Sequence, residues 1–369
     1  MKLDEYQRKA FLTARIDWQD ARKCHIPVLG VVGELGSLAS ELKKQLRDGQ
    51  SYNHVHRNLI EEFGDLLWYI SAIASRYQLS LEGLVAETHS SAPSRGNLAH
   101  VYGMVSAIAA LVASTAESGK DVAPGTRRRI AKALGPALHA VLFAIRREGL
   151  NLTSVLSKSL QKVTGVFGSE EIRPARCFDT NFPVYERLPR SIAVQFLERA
   201  RGAGRVEVVL RVNGMNMGDR LTDNARKDDG YRFHDAFHLA YAAVLGWSPV
   251  VRSMLRCKRK SDPGVDEVQD GARAAIVEEA IAQTVFDYAR SHSMLNRLDR
   301  IDNGILKLIQ RMVHGLEVRK CALHEWQRAI FVGFEAFRAL KRNRGGSLIL
   351  DAETRTLSYR DADDGANNG

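Results

Sequence analysis

Five carboxylates stand close together near the start of the chain: Glu34 and Glu41, then Glu61, Glu62 and Asp65. Glu62 and Asp65 are three residues apart, the spacing that places two side chains on one face of a helix. Around the first pair, Val31, Val32, Leu35, Leu38, Leu42 and Leu46 recur near a 3.6-residue period. Around the second group, Leu59, Phe63, Leu66, Leu67, Ile70, Ile73 and Ala74 make one apolar stripe. Carboxylates converging from two antiparallel helices form an oxygen-rich site suited to Mg²⁺ or Mn²⁺. Such a site binds a triphosphate, neutralises its charge and lowers the pKa of an attacking water. Gly33 and Gly64 each adjoin one of these acids, where a missing side chain is expected to leave room for a ligand.

A second constellation lies in the C-terminal half. His234 and His238 are four residues apart, one helical turn, with Asp235 between them. That is a common geometry for a metal-binding pair. Lys258, Lys260, Asp266, Asp270 and the Glu278-Glu279 pair follow within one short stretch. Read together, they make a second phosphate site, with cations gripping phosphates while His and acids hold a metal or move protons. The competing reading has the histidines filling a helix interior and the basic run pairing with the acidic one. Cys257 stands among cations expected to lower its thiol pKa, but no His-based triad surrounds it.

The elements that must position these residues are mostly helices. Helices are expected over Gly30–Arg47, ended by Asp48-Gly49, and over His54–Tyr77. A third starts after Ser80, acting as N-cap with Gly83 at N3. Ser90 to Asn97 reads as a linker. The pattern Gly64 to Leu81 recurs at Gly135 to Leu152, and Gly33 has a counterpart at Gly103. Residues 98–165 are therefore read as an internal repeat that has lost its acids, with Met104 and Pro136 where Glu34 and Asp65 stand. Pro174, Pro183 and Pro189 mark 166–204 as a connector. Beyond it, 205–360 is expected to form an α-rich domain. Its helices fall at Tyr231–Leu245, Ala272–Arg290, Ile301–Leu316 and Leu323–Lys341, and three strands near 205–212, 347–351 and 356–360 make a small sheet. Residues 361–369 read as a disordered tail.

The 369 residues are 45% apolar and 26% charged, which excludes disordered and collagen-like classes. No apolar run approaches the ~20 residues of a membrane helix, so no membrane association is expected. The charged N-terminus argues against a secretory signal, and four cysteines without a Cys-x-x-Cys pair fit a cytoplasmic protein. A net charge of +10 favours a polyanionic partner: a nucleotide, a nucleic acid or an acidic protein. Short basic patches at Thr126–Lys132, Arg256–Lys260 and Lys341–Arg344 suit contact with nucleic-acid phosphates, although no zinc finger or RNA-recognition motif accompanies them.

Family resemblance sharpens the first constellation. Gly33-Glu34-Leu35-Gly36-Ser37-Leu38, Leu46-Arg47-Asp48-Gly49, Glu61 through Tyr69 and Leu79-Ser80-Leu81 resemble, in order and spacing, the MazG-like nucleotide pyrophosphohydrolases. The resemblance covers about residues 25–92, with 98–165 as its degenerate second copy. It implies tandem helical-bundle units in an oligomer, here with an unassigned C-terminal domain carrying the small sheet. It further implies Mg²⁺ or Mn²⁺ and the splitting of nucleoside triphosphates to monophosphate and pyrophosphate. The family's E-x-x-D element maps onto Glu62 and Asp65, and the first glutamate of its E-x-x-E onto Glu34. The implied metal ligands are thus Glu34, Glu62 and Asp65, with Glu61 orienting water or a second ion. Lys43, Lys44 and Arg47 are expected to take the outgoing phosphates. Lys162, in the second copy, matches the family lysine. Ser37 replaces the second glutamate of E-x-x-E, and His89 and Ala92 stand where the family has Asn and Lys. Two further readings therefore stand beside the pyrophosphohydrolase: a nucleotide-sensing or scaffold protein with an eroded site, and a metal-dependent phosphohydrolase centred on His234 and His238.

Overall fold

A computed structural model describes residues 1–14, 16–20, 22–52, 55–87, 98–116, 122–167, 176–202 and 204–361. The linker expected at Ser90–Asn97, His89, Ala92, Pro174 and the tail after Asp361 lie outside the described residues. The chain divides into two compact units, Met1–Gly168 and Ser169–Gly369.

The first unit is helical: α1 (Leu3–Leu12), α2 (Ile26–Asp48), α3 (Val55–Arg76), α4 (Leu81–Glu87), α5 (Ala99–Ala116), α6 (Pro124–Arg147) and α7 (Leu152–Phe167). Pro27 and Pro124 sit in the first turns of α2 and α6, where their missing N–H would be unsatisfied anyway. Gly49 (φ 52°) stops α2, and Ser80 caps α4 by accepting from the Gly83 N–H at 2.9 Å. The apolar stripes bury Val31, Leu38 and Leu42 of α2 against Leu59, Phe63, Leu66, Leu67 and Ile70 of α3. Helix α2 packs on α3 and α5 packs on α6, while α2 also meets α5 and α3 meets α6. The two halves thus share one core within one unit.

The second unit contains β1 (Ser191–Gly202), β2 (Arg205–Val212), β3 (Met215–Leu221), α8 (Asp235–Leu245), α9 (Pro249–Met254), α10 (Pro263–Val268), α11 (Ala272–Arg290), α12 (Asn303–Met312), α13 (Leu323–Asn343), β4 (Gly345–Asp351) and β5 (Thr356–Arg360). The molecule is mainly α, with one antiparallel sheet among the described residues, ordered β3-β2-β1-β4-β5. Two of its five strands differ from expectation. The connector read over 166–204 contains β1, the central strand, whose Val194 and Phe196 are buried on one face. Prolines at 183 and 189 end before the strand begins and so do not interrupt it. Strand β3, with no residue fully buried, lacks the apolar alternation that would have announced it. Gly345 (φ 130°) lets β4 pass β1 closely, since a Cβ there would lie 2.6 Å from the Phe196 carbonyl oxygen.

Helix α8 is buried at all eleven positions, between α13 and elements that include α11, β4 and β5. A helix apolar all round is a core helix. Its few polar residues are therefore held away from water. Among the described residues, no helix is long and apolar enough to cross a membrane.

Candidate active site

In the first unit, Glu34 of α2 meets Glu62 and Asp65 of α3. Each offers a carboxylate oxygen, and these three atoms lie within 4.8 Å of one another. All three are half-buried. Lys162 of α7 closes the cluster, its Nζ donating to Glu61 Oε1 at 2.8 Å and to Asp65. Burial alone would lower the Lys162 ammonium, but Asp65 and Glu61 override it and hold the pKa above its ordinary value. Glu34, Glu61, Glu62 and Asp65 set four carboxyl groups near the Lys162 ammonium. This hard-oxygen donor set fits a Mg²⁺ or Mn²⁺ ion, with water or substrate oxygens completing six-coordination.

Two glycines explain how α7 and Tyr69 reach the cluster. A Cβ on Gly64 would lie 3.0 Å from Ser159 Cβ, so its missing side chain lets α7 approach α3. Ser159 Oγ donates to the Gly64 carbonyl at 2.9 Å and lies 2.8 Å from Tyr6 Oη. Lys162 follows Ser159 by three residues and so faces the same helix. Gly64 therefore makes room for a helix, not for a ligand. Gly33 faces open space, since a Cβ there would meet nothing within 4 Å. Gly30 is the glycine beside the site, because a Cβ would run into the Tyr69 ring at 2.4 Å. Burial raises the Tyr69 phenol, and Glu34 and Asp65 raise it further.

The remaining expected residues sit elsewhere. Glu41 is buried two turns beyond Glu34, where it accepts from Tyr52, from Asn58 Nδ2 at 2.9 Å and from Lys44 Nζ at 2.7 Å. Lys44 is thereby held on Glu41, and Arg47 pairs with Asp48 at 2.6 Å. Lys43, Lys44 and Arg47 follow Glu34 by nine to thirteen positions, about 14–20 Å along the axis. That span is longer than their side chains, so none of them joins the carboxylate cluster, where Lys162 places an ammonium. Ser37 is exposed, one turn after Glu34.

In the second unit, His234, Asp235 and His238 also offer ligand atoms within 4.8 Å of one another, and all three are buried. Glu278 and Glu279 of α11 face them. Glu278 Oε1 lies 2.8 Å from His238 Nδ1 and accepts from Ser248 Oγ at 2.6 Å, while Oε2 accepts from the Val250 N–H at 2.9 Å. Glu279 approaches His238 Nε2 at 3.4 Å and His234 Nε2 at 3.9 Å. Burial disfavours an imidazolium at His238, yet Glu278 and Glu279 outweigh it and raise the pKa.

The other residues grouped with this pair are separate from it. Asp270 accepts from Arg259 Nε at 3.0 Å and Nη2 at 2.7 Å, and neither side chain is more than 1% exposed. Arg259 also grips Glu317 at 2.6 Å, so one member of this basic run does pair with acids. Lys258, Lys260 and Asp266 line another cavity, of about 630 Å³, with Arg256 and Glu267. Burial pushes the Cys257 thiol up, opposite to the shift expected from its cationic neighbours.

A family model described as the MazG C-terminal domain matches residues 173–363, just over half of the chain. The chain belongs to the MazG C-terminal domain family. The match covers the sheet and α8 to α13, the half to which sequence reading assigned no family. No curated protein and no solved structure matches the chain.

Sequence reading reached Glu34, Glu62, Asp65 and Lys162 but missed Tyr69 and the roles of Gly30 and Gly64. Gly30 one turn before Glu34, and Tyr69 one turn after Asp65, are the local signals for that contact. Nothing local announces that Ser248 and the Val250 N–H lock Glu278.

Proposed function

We propose that the protein is a divalent-metal-dependent nucleoside triphosphate pyrophosphohydrolase whose active site lies on α2, α3 and α7. The observation carrying this reading is the convergence of Glu34, Glu62 and Asp65, with the Lys162 ammonium on Asp65 and Glu61. Membership in a MazG domain family supports it at the coarser level of nucleotide pyrophosphohydrolase chemistry.

Glu34, Glu62 and Asp65 would hold Mg²⁺ or Mn²⁺, which when bound neutralises phosphate charge and acidifies a water. Lys162 keeps Asp65 and Glu61 oriented and presents a cation to the phosphates. Glu61 accepts a hydrogen bond from the attacking water. Water adds at the α-phosphorus and gives up its proton to solvent, the bond to the bridging oxygen breaks, and pyrophosphate leaves as the nucleoside monophosphate remains.

³¹P NMR of the purified chain with NTPs and dNTPs, with Mg²⁺ or Mn²⁺, tests this reading. Pyrophosphate release is expected, falling more than about 100-fold in Asp65→Asn and Glu62→Gln while circular dichroism stays unchanged. Unchanged rates in both variants would remove the site from α2 and α3. Release that survives there but is lost in His238→Ala would move the active centre to the second unit.

A further inference from the structure

We propose that α8 and α11 hold a first-row divalent transition-metal ion between His234, Asp235, His238 and Glu279, with Glu278 positioning His238. This inference is independent of the pyrophosphohydrolase site.

Three observations carry it. The first is tautomer control. His234 Nδ1 lies 2.8 Å from the Tyr231 carbonyl, which can only accept, so Nδ1 carries a proton and Nε2 faces the acids. His238 Nδ1 is likewise fixed by Glu278 at 2.8 Å. A histidine ligand whose other ring nitrogen is held by a carbonyl or carboxylate is the usual second shell of a metal. The second is His238 Nε2 itself. The side chain is 0% exposed and Nε2 makes no hydrogen bond, although a core helix should leave no such atom unsatisfied. Its nearest carboxylate is Glu279 Oε1 at 3.4 Å, longer than a good hydrogen bond yet close enough to share an ion. The third is ring placement. The Tyr231 ring stacks on His234 at 4.4 Å and 1°, fixing the plane in which Nε2 points.

Two imidazoles with two carboxylates select Zn²⁺, Mn²⁺, Fe²⁺ or Co²⁺ over Mg²⁺. Glu278 is 0% exposed, whereas Glu279 is 46% exposed, so one side of the site opens to solvent. An open side leaves a coordination position for water or a substrate oxygen.

The test titrates Co²⁺ into the chelator-treated full chain and follows visible d–d absorption. Co²⁺ is expected to give bands with the pattern of nitrogen ligation, and these bands stay undiminished in Asp65→Asn, which alters only the carboxylate site of the first unit. The bands should vanish in His238→Ala. That variant empties a buried position, so Glu279→Ala at the open rim is measured beside it and should weaken Co²⁺ binding at least tenfold. Glu278→Gln should weaken it about 10–100-fold. Absence of bands in the natural chain overturns the proposal. So does unchanged affinity in Glu279→Ala, or loss of the bands in Asp65→Asn.

Discussion

Replacing Lys162 with Met keeps most of the side chain's volume and removes its charge. The ammonium bridges Glu61 and Asp65, with side-chain exposures of 20% for Lys162, 38% for Glu61 and 12% for Asp65. Two unit charges about 4 Å apart attract by about 4 kcal/mol at an effective dielectric of 20, and by about 1 kcal/mol in water. The Glu61 bridge is partly solvated and contributes at most about 1 kcal/mol. The Asp65 bridge is more enclosed, but the lysine's desolvation offsets part of its attraction. The net loss is about 2 kcal/mol. In a unit of 168 residues that lowers the melting temperature by about 4–8 °C. The sign of the metal effect follows from the same charges. Without the ammonium the four carboxylates repel more strongly, so a divalent ion is bound more tightly and stabilises the variant more than the natural chain. Calorimetry without and with millimolar Mg²⁺ should therefore show the deficit shrinking as Mg²⁺ is added. Pyrophosphate release should fall about 10–100-fold, because the phosphates lose their cation. A deficit indifferent to Mg²⁺, or none at all, would refute the claim that Lys162 neutralises this cluster. Unchanged turnover would refute its role toward phosphate.

Further outcomes follow from the packing. Gly64→Ala should destabilise the first unit by about 1–3 kcal/mol, since its methyl meets Ser159 Cβ at 3.0 Å, and should lower turnover by displacing Lys162. Gly33→Ala meets nothing and should stabilise by up to about 1 kcal/mol through helix propensity alone, with turnover unchanged; paired melting curves and assays separate the two. Asp179→Asn should destabilise the second unit by about 3–5 kcal/mol, because the buried carboxylate accepts from Arg190 at 2.5 Å and Arg252 at 2.7 Å. Burial would raise the Asp179 pKa, but Arg190, the Leu188 N–H and Arg252 outweigh it and lower it. Its stabilisation is thus present above the unfolded value of about 3.9 and is lost as pH falls through the lower folded value. Melting temperatures followed down to about pH 3 should show that acid-side loss in the natural chain and a smaller one in Asp179→Asn.

Several features were legible because they are local. A 3.6-residue apolar period places α2 and α3, Gly49 marks the end of α2 and Ser80 the start of α4, since helix burial and capping depend on neighbours a few residues away. The Glu62–Asp65 spacing fixes a shared face for the same reason. The Ala272–Arg290 helix is read to its ends from its amphipathic pattern. Strand β3 was not legible, because an exposed strand is specified by its partner β2 and not by its own alternation. The spacing of the basic residues of α2 in sequence does not show the 1.5 Å rise per residue that carries them away from Glu34.

The sequence by itself determined a mainly helical chain, the carboxylates of α2 and α3, and the one-turn histidine pair at the start of α8. These rest on periodicity and spacing along single helices. Only the tertiary structure decided which groups complete each cluster. Lys162 lies 97 residues from Asp65, and Glu278 lies 40 from His238. Such partners are chosen by close approach, through Gly64 against Ser159 in one unit and by Ser248 and the Val250 N–H holding Glu278 in the other. Contacts of this kind arise from helix packing, which no window of consecutive residues encodes.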